Sequence, residues 1–210
     1  MKILGYGFFH PVMQKDYLGY FDQGRLVGYT QLIIQNNKLM LGIGVHPNFL
    51  DQGYGSEILT IVDSIHIHRY KEYPLELMVR VWNNRAIHTY QKNHYKIYGD
   101  PFEHQGNMFH PMKKTGLTFY LPEVNELDYR KYICEDQDTM SFNEDIVLFP
   151  QEKWNDWYQR WSDRDHFYRY IYHEEKLCFV GEAAYRMQDQ KCILSIIIEP
   201  KHRNQGMGGK

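Results

Sequence analysis

The sequence has few cysteines, and none of them forms a paired motif. Its 210 residues include three, Cys134, Cys178 and Cys192, an odd number with no CxxC spacing. Disulfide frameworks and zinc ribbons need even sets or closely spaced pairs. The sequence therefore predicts a reduced, cytoplasmic protein without a metal site.

The sequence also lacks a long apolar run and an excess of charge of one sign. No stretch approaches the ~18–20 apolar residues of a membrane span. The first residues have too short an apolar core, and no small-residue cleavage site, for a signal peptide. The formal net charge is -2, which provides no basic surface for nucleic acid or anionic membranes. We therefore expect neither nucleic acid nor a membrane as a partner.

Aromatic residues are abundant instead, at 16% with 18 tyrosines, while 43% hydrophobic and 24% charged residues are typical of a soluble globular protein. Tyrosine suits half-buried strands, so most of the tyrosines are expected in sheets and cores. An interaction protein that uses an aromatic surface has only this tyrosine content in its favour. The length fits one full domain and part of another.

An internal repeat runs through the chain. Residues 17–56 align without gaps with residues 170–209, a shift of 153. The matched positions are Val27-Gly28 with Val180-Gly181, Ile43–Val45 with Ile196–Ile198, Pro47 with Pro200, Gln52-Gly53 with Gln205-Gly206, and Gly55 with Gly208. The alignment predicts the same supersecondary unit twice.

The two copies are incomplete in opposite ways. The first has a short segment ahead of its hairpin and a long one after its glycine loop, and the second has the reverse. We therefore expect residues 1–115 to form one domain core without its usual first helices. Residues 116–210 are expected to form the front of a second domain that stops just past its loop, as in a truncated chain.

Periodicity predicts an antiparallel meander followed by loop, helix, strand, helix and strand. The meander comprises strands 17–21, 26–35 and 38–45, helices are predicted at 53–70 and 83–93, a strand at 74–81, and two strands within 95–114. The second half predicts a strand at 117–120, helices at 123–135 and 151–161, and strands at 167–173, 176–187 and 191–198. This order is a mixed α/β architecture.

The loop after the third strand has the composition of an anion site. The strand ends at Val45, Pro47 breaks it, and Gly53 and Gly55 open the next helix. Backbone N–H groups at a helix N-terminus are unpaired and carry partial positive charge, and glycine allows a ligand close approach. No lysine follows as in a nucleotide P-loop, and the third Rossmann glycine is absent. A pyrophosphate site and a helix start that binds nothing both fit.

Two segments resemble motifs of the GNAT acetyltransferases. Residues 43–55, IGVHPNFLDQGYG, resemble the acetyl-CoA motif, a strand ending V-x-P followed by [RQ]-x-x-G-x-[GA]. Residues 83–95, NNRAIHTYQKNHY, resemble the second motif, N-x-x-A-I-x-x-Y-x-K-x-G-[FY]. The resemblance covers roughly 17–115, and the repeat extends it to 117–210. It implies the α/β (α+β) acyl-CoA N-acyltransferase fold, a largely antiparallel sheet flanked by helices, with a second partial copy in tandem.

The resemblance also implies acetyl-CoA as co-substrate and assigns roles to residues. Ile43, Gly44 and Val45 would bond the pantetheine arm in the manner of a strand, and Asn83 would contact the cofactor. Tyr90 would protonate the departing CoA thiolate, which suits a phenol with a reference pKa of ~10. By position alone, Tyr90 also fits a core aromatic residue. The backbone amides that would hold the pyrophosphate are those of Gln52, Gly53, Tyr54, Gly55 and Ser56.

The sequence departs from the family pattern at two positions and matches it unexpectedly at a third. Leu50 stands where the family has Arg or Gln, and His94 stands where it has glycine. The second loop, Arg203–Gly208, matches the first motif fully, but no second motif follows it. The loop that matches better therefore lies on the half that cannot complete a site alone.

Other candidate residues have simpler interpretations. His46 could act as a base, although a satisfied loop histidine fits better. His66 and His68 stand at i and i+2 on a helix, so their rings point apart and form no metal site. Trp154, Trp157 and Trp161 recur at helical spacing and are expected to form a buried helix face. The acidic run 135–138 is expected to be a solvated turn.

The resemblance implies an N-acetyltransferase that acts on a primary amine of an unidentified acceptor. A catalytically inactive CoA-binding module, or a truncated remnant of a tandem acetyltransferase, is the alternative, because the helices that shape the acceptor pocket are missing before Tyr17. Residues 117–165 could supply those helices within the chain or by exchange with a second copy. Exchange predicts a homodimer.

Overall fold

A computed structural model describes residues 2–4, 16–141, 146–161, 166–189 and 191–206. The chain divides into two compact units. The first comprises Met1–Gly116 and Glu174–Leu177, and the second comprises Leu117–His173 and Cys178–Lys210.

The described residues of the first unit form one mixed sheet and two α-helices. Its strands follow the order β1-β2-β3-β4-β5-β8-β6, with β7 paired to β8. All described neighbours are antiparallel except β4 and β5, which are parallel. The largely antiparallel, mixed α/β sheet predicted from the sequence is therefore confirmed. The elements are β1 Lys2–Leu4, β2 Tyr17–Asp22, β3 Arg25–Gln35, β4 Lys38–Val45, α1 Tyr54–Tyr70, β5 Leu75–Arg80, α2 Asn84–Lys92, β6 Tyr95–Ile97, β7 Phe102–His104 and β8 Asn107–Lys114.

Turn residues fix the meander of β2, β3 and β4. Asn36 and Asn37 have φ angles of 51° and 60°, and Gln23 and Gly24 have 47° and 78°. Two successive residues with positive φ form the turn whose twist matches that of antiparallel strands. Asparagine and glycine accept this conformation more readily than other residues.

Both helices cover the same face of the sheet. Ile58, Leu59 and Val62 of α1 are fully buried against Leu39 and Leu41 of β4. Tyr90 of α2 belongs to the same core cluster. On the opposite face, Tyr29 is 42% exposed and Met78 is 41% exposed.

The second unit contains a four-stranded antiparallel sheet in the order β12-β11-β10-β9. Its helices pack on that sheet, because Ile133, Cys134 and Met140 cluster with Ile197 and the Trp157 ring lies 4.6 Å from the Tyr168 ring. The helices within 117–165 therefore cover their own unit. The elements are β9 Leu117–Tyr120, α3 Asp128–Glu135, α4 Gln137–Met140, α5 Trp154–Arg160, β10 His166–His173, β11 Cys178–Gln188 and β12 Lys191–Ile198.

Local predictions are wrong in three places. Residues 95–114 form three strands instead of two, because β6 and β7 pair separately with β8. The helix predicted at 123–135 begins at Asp128, after a single 3-10 turn at Val124–Glu126. In the acidic run, the Asp136 carboxylate caps α4 by accepting from the Thr139 amide at 2.7 Å, so this run is not simply a solvated turn.

The two segments that the sequence alignment matches also share a strand register. The ladder between β3 and β4 has the same register as the ladder between β11 and β12. The first and last residue pairs of the β3–β4 ladder are Gly28↔Val45 and Gln35↔Lys38. After the shift of 153 they correspond to Gly181↔Ile198 and Gln188↔Lys191 of the β11–β12 ladder. In the preceding ladder of each unit, the pairing skips the valine just before this glycine, Val27 in the first unit and Val180 in the second.

The loops that follow the two ladders also match. Each contains a single 3-10 turn, at Pro47–Phe49 and Pro200–His202. The positive φ angles of 60° and 89° at Asp51 and Gly53 correspond to 58° and 72° at Asn204 and Gly206. Met207 and Gly208, the last positions of the second motif, lie outside the described residues.

No helix in the described part of the chain has the length and apolar character that crossing a membrane requires.

Glycine at position 28 is required by close packing between β3 and β4. A Cβ atom there would lie 2.6 Å from the Gly44 carbonyl oxygen, whereas at Gly42 of β4 the nearest atom would be 3.4 Å away. We expect Gly28→Ala to lower the free energy of unfolding by about 1–3 kcal/mol through overpacking. Gly42→Ala is the matched control and should change it by less than about 0.5 kcal/mol. Urea unfolding followed by circular dichroism measures both, and equal midpoints for the two variants would contradict the argument.

Candidate active site

A cavity of about 310 Å³ lies at the C-terminal end of β4, beside the N-termini of α1 and α2. It brings together nine of the ten residues that the sequence predicts for the site. Its lining residues are Ile43, Gly44, Val45, Phe49, Leu50, Asp51, Gly53, Tyr54, Gly55, Ser56, Asn83, Arg85, Ala86, Thr89 and Tyr90.

One wall of the cavity is an open strand edge. The parallel strands β4 and β5 pair only at Leu39↔Leu75 and Met40↔Glu76, although β4 continues to Val45. The Leu39 amide donates to the Pro74 carbonyl, so Leu39 directs its backbone groups away from β3. Because these groups alternate sides along a strand, those of Ile43 and Val45 also point away from β3. An extended ligand with amide groups can pair with this edge.

Gly44 has a different role from its neighbours in β4. By the same alternation its backbone groups face β3, so they are directed away from the open edge. A Cβ atom on Gly44 would lie 2.5 Å from Cε1 of Tyr29, which occupies that space. Gly44 thus allows the Tyr29 ring to lie over the strand beside the cavity.

The N-terminus of α1 forms a second wall. Its N-cap residue, Gly53, has a φ of 89° and provides no side-chain cap. The amides of Ser56 and Glu57 donate to the Gly53 carbonyl at 3.0 and 3.2 Å. In the described part of the chain, no hydrogen bond is found for the amides of Tyr54 and Gly55. These two N–H groups, at the positive end of the helix dipole, are available to an anion.

Two polar side chains, one in the loop and one in the first turn of α1, form hydrogen bonds with other groups of the protein. Nε2 of Gln52 donates to the Asn48 carbonyl at 3.0 Å. Gln52 is the one predicted residue that does not line the cavity. Oγ of Ser56 accepts from Nδ2 of Asn93 at 3.0 Å, which ties the first turn of α1 to the end of α2.

Asn83 begins α2 and faces the cavity. Its Oδ1 accepts from the Ala86 amide at 3.3 Å and so caps the helix. This bond fixes the side chain and leaves its NH₂ group as a donor for a ligand.

Tyr90 is buried and also reaches the cavity. Burial raises the pKa of Tyr90 to about 12, because a phenolate would be poorly solvated there. The phenol therefore keeps its proton throughout the neutral range. The Tyr95 ring lies 6.0 Å away, between centroids, and its hydroxyl finds no hydrogen-bond partner among the described residues.

The histidines of this unit have structural positions. The exposed His46 caps the 3-10 turn, since its Nδ1 accepts from the Asn48 amide at 3.2 Å, and it does not line the cavity. His66 is buried, with Nε2 2.8 Å from the Tyr73 carbonyl oxygen. Across the described ranges, no group of three or more His, Cys, Asp or Glu side chains is arranged to hold a metal ion.

Several lining residues are not predicted from the sequence, and two of them, Arg85 and Asp51, are charged. Helical spacing could have indicated some of them, because Ala86 and Thr89 stand three or four residues from Asn83, Arg85 and Tyr90 on α2. Nη1 of Arg85 lies 3.9 Å from Oδ2 of Asp51, and the two side chains are 54% and 75% exposed. An ion pair this exposed contributes about 0–1 kcal/mol and is easily exchanged for another partner.

The two uses of Asn83 can be separated by substitution. Asn83→Ser retains a cap but removes the NH₂ donor, so we expect an unchanged melting temperature and a Kd for acetyl-CoA raised about fivefold. Asn83→Ala removes both and should also lower the free energy of unfolding by about 1 kcal/mol. Thermal unfolding and calorimetric titration measure the two effects. Unchanged affinity in Asn83→Ser would show that the residue acts only as a cap.

Comparison with solved structures gives acetyltransferases. A chimera of the Vibrio cholerae spermidine N-acetyltransferase SpeG and hSSAT shares 18% identity at a TM-score of 0.42, over 47% of this chain and 65% of that one. An acetyltransferase of the GNAT family from Streptococcus pneumoniae shares 22% sequence identity at a TM-score of 0.39, over 47% of this chain and 64% of that one. An IAA acetyltransferase from Bacillus cereus shares 13% sequence identity at a TM-score of 0.42, over 49% of this chain and 80% of that one. The chain thus spans slightly less than two thirds of the first two.

None of the curated proteins matches the chain. The family described as "Acetyltransferase (GNAT) domain" matches residues 9–116, more than half of the sequence and all of the cavity. The chain therefore belongs to the GNAT acetyltransferase family.

Proposed function

We propose that the protein transfers the acetyl group of acetyl-CoA to a primary amine of an acceptor, as a cytoplasmic N-acetyltransferase. The observation that carries this proposal is the convergence of three features on one cavity. These are the open edge of β4, the uncapped N-terminus of α1 and the buried, protonated Tyr90.

The cavity suits the two chemically different parts of the cofactor. The pantetheine arm carries amide groups, which can pair with the backbone of Ile43 and Val45 as a short additional strand. The pyrophosphate is an anion, which the free amides of Tyr54 and Gly55 can bind at the helix N-terminus. Because both parts are held, the thioester at the end of the pantetheine arm is positioned with little remaining freedom.

The reaction needs little covalent chemistry from the protein. The amine nitrogen attacks the thioester carbonyl, a C–N bond forms, the C–S bond breaks, and the amine loses a proton. The CoA sulfur leaves as a thiolate that accepts a proton. The acetyl group is carried by the cofactor, so the protein contributes orientation and proton donation.

The pKa of Tyr90 determines how it assists. Burial keeps the Tyr90 phenol protonated at neutral pH, so its O–H can donate a hydrogen bond to the developing thiolate before any proton is transferred. We therefore propose that Tyr90 stabilises the leaving sulfur as a hydrogen-bond donor.

A CoA-binding module without catalysis is the second candidate, and one observation favours it. Tyr29 and Met78 are exposed on the face of the first sheet opposite α1 and α2, and α3, α4 and α5 pack on the sheet of the second unit. Among its described residues, the first unit therefore has no helix that could line an acceptor pocket on that face.

We also propose that the second unit is related to the first, as a second GNAT-like domain in tandem with it. The shared register of the two ladders and the shared backbone of the two loops support this relationship.

Substitution of the two equivalent glycines tests cofactor binding. Gly53 and Gly206 both have positive φ, and a Cβ atom on either would meet nothing within 4 Å. Glu at either position imposes the same backbone strain, but only Gly53→Glu places a carboxylate in the cavity. We expect calorimetry to give one acetyl-CoA site per chain that is lost in Gly53→Glu and retained in Gly206→Glu. Equal loss in both variants, or no binding to the unaltered chain, would contradict the proposed site.

Replacement of Tyr90 tests catalysis. We expect Tyr90→Phe to lower kcat for acetylation at least about 100-fold, since the leaving thiolate loses its donor, and to leave KM for acetyl-CoA within about twofold. Tyr95→Phe is the matched control, because it removes a neighbouring buried hydroxyl that has no described partner. The assay follows thiol release from acetyl-CoA with a broad panel of amines. Binding without thiol release for every amine would favour the non-catalytic module.

A further inference from the structure

The cavity contains one cationic side chain among its described lining residues. Arg85 is the second residue of α2, and it reaches the space that also contacts Tyr54 and Gly55 at the N-terminus of α1. A guanidinium group presents planar N–H donors that match phosphate oxygens. The same space therefore offers an anion both backbone amides and a positive charge.

The present partner of Arg85 is a weak one. Oδ2 of Asp51 lies 3.9 Å from Nη1 of Arg85, beyond direct hydrogen-bond distance, and both groups are exposed to solvent. A phosphate carries at least as much negative charge as a carboxylate and offers more acceptor oxygens. Arg85 can therefore turn from Asp51 to a phosphate without losing a strong contact.

The second unit shows that a basic residue in the loop itself need not face a ligand. Arg203 corresponds to Leu50 after the shift of 153. Its Nε donates to the Ile198 carbonyl at 2.9 Å and its Nη2 donates to the Thr139 carbonyl at 2.8 Å. These bonds tie the loop to the end of α4. In the first unit position 50 is apolar, and the positive charge comes from α2 instead.

We propose that Arg85 binds a phosphate group of the cofactor's nucleotide portion, in place of a basic residue in the loop. This inference rests on the proposed function, since it assumes that the cavity takes CoA. It makes Arg85 a residue that distinguishes CoA from shorter pantetheine thiols. Its contribution is electrostatic, so it weakens as salt is added.

The test is calorimetric titration of the full chain with three ligands. CoA carries a pyrophosphate and a 3′-phosphate, dephospho-CoA carries only the pyrophosphate, and pantetheine carries neither. We expect Arg85→Gln to raise the Kd for CoA about tenfold at low salt, with a smaller change at high salt, and to leave the Kd for pantetheine unchanged. Arg85→Lys should restore part of the affinity, because it keeps the charge. Lys92→Gln, which removes a charge from the far end of the same helix, is the matched control.

The three ligands also identify which phosphate is bound. An equal effect of Arg85→Gln on CoA and dephospho-CoA assigns Arg85 to the pyrophosphate, and an effect on CoA alone assigns it to the 3′-phosphate. Asp51→Asn should lower the Kd for CoA about twofold, because it releases Arg85 and removes a nearby negative charge.

Two results would overturn the inference, and they are distinguishable. If Arg85→Gln binds CoA as tightly as Lys92→Gln does, Arg85 has no role in phosphate binding, while the proposed function stands. If the unaltered chain binds no CoA at all, the proposed function fails and the inference fails with it. Circular dichroism spectra of all variants establish that each is folded.

Discussion

The candidate site depends on the early end of the pairing between β4 and β5. These parallel strands share a ladder of two residue pairs, after which β4 continues to Val45 paired with β3 on its other side. If the ladder continued, the backbone groups of Ile43 and Val45 would be satisfied within the sheet and could not pair with a ligand. Unpaired backbone groups at the end of a strand are costly in a closed core, so they need a place where solvent or a ligand can reach them. The cavity provides that place.

The close packing of the surrounding elements fixes the remaining groups relative to this strand edge. Gly28 lets β3 approach β4, and a Cβ atom there would also meet Cδ1 of Ile58, one of the residues through which α1 packs on the sheet. Gly55 lets α1 approach α2, since a Cβ atom there would lie 3.3 Å from Cγ2 of Thr89. At each glycine, the absence of a side chain lets two neighbouring elements pack in direct contact. As a result, the free amides of α1 and the phenol of Tyr90 on α2 face one cavity.

The sequence predicted the main elements, because hydrophobic periodicity reports on backbone structure, and nine of the ten residues that the two motifs mark line one cavity. It also marked position 94, where the motif has glycine: His94 has a φ of 64°, a conformation that costs most side chains roughly 1–2 kcal/mol. The features that were not predicted from the sequence depend on the direction in which a side chain points. The Gln52 side chain turns back to the Asn48 carbonyl, and Arg85 reaches the cavity from another helix. Neither follows from spacing along the chain.

The two loops show why a motif match is weaker evidence than a surrounding structure. Their backbones agree in the 3-10 turn, in the positive φ angles and in the glutamine side chain that bonds four residues back, at 3.0 Å in the first loop and 2.9 Å in the second. The second loop has the arginine that the motif requires, yet its guanidinium bonds the carbonyls of Ile198 and Thr139. The first loop lacks that arginine but has α2 beside it, with Asn83, Arg85 and Tyr90 facing the same space. In the first unit, the loop and the helix packed beside it therefore present their backbone amides and side chains to one cavity.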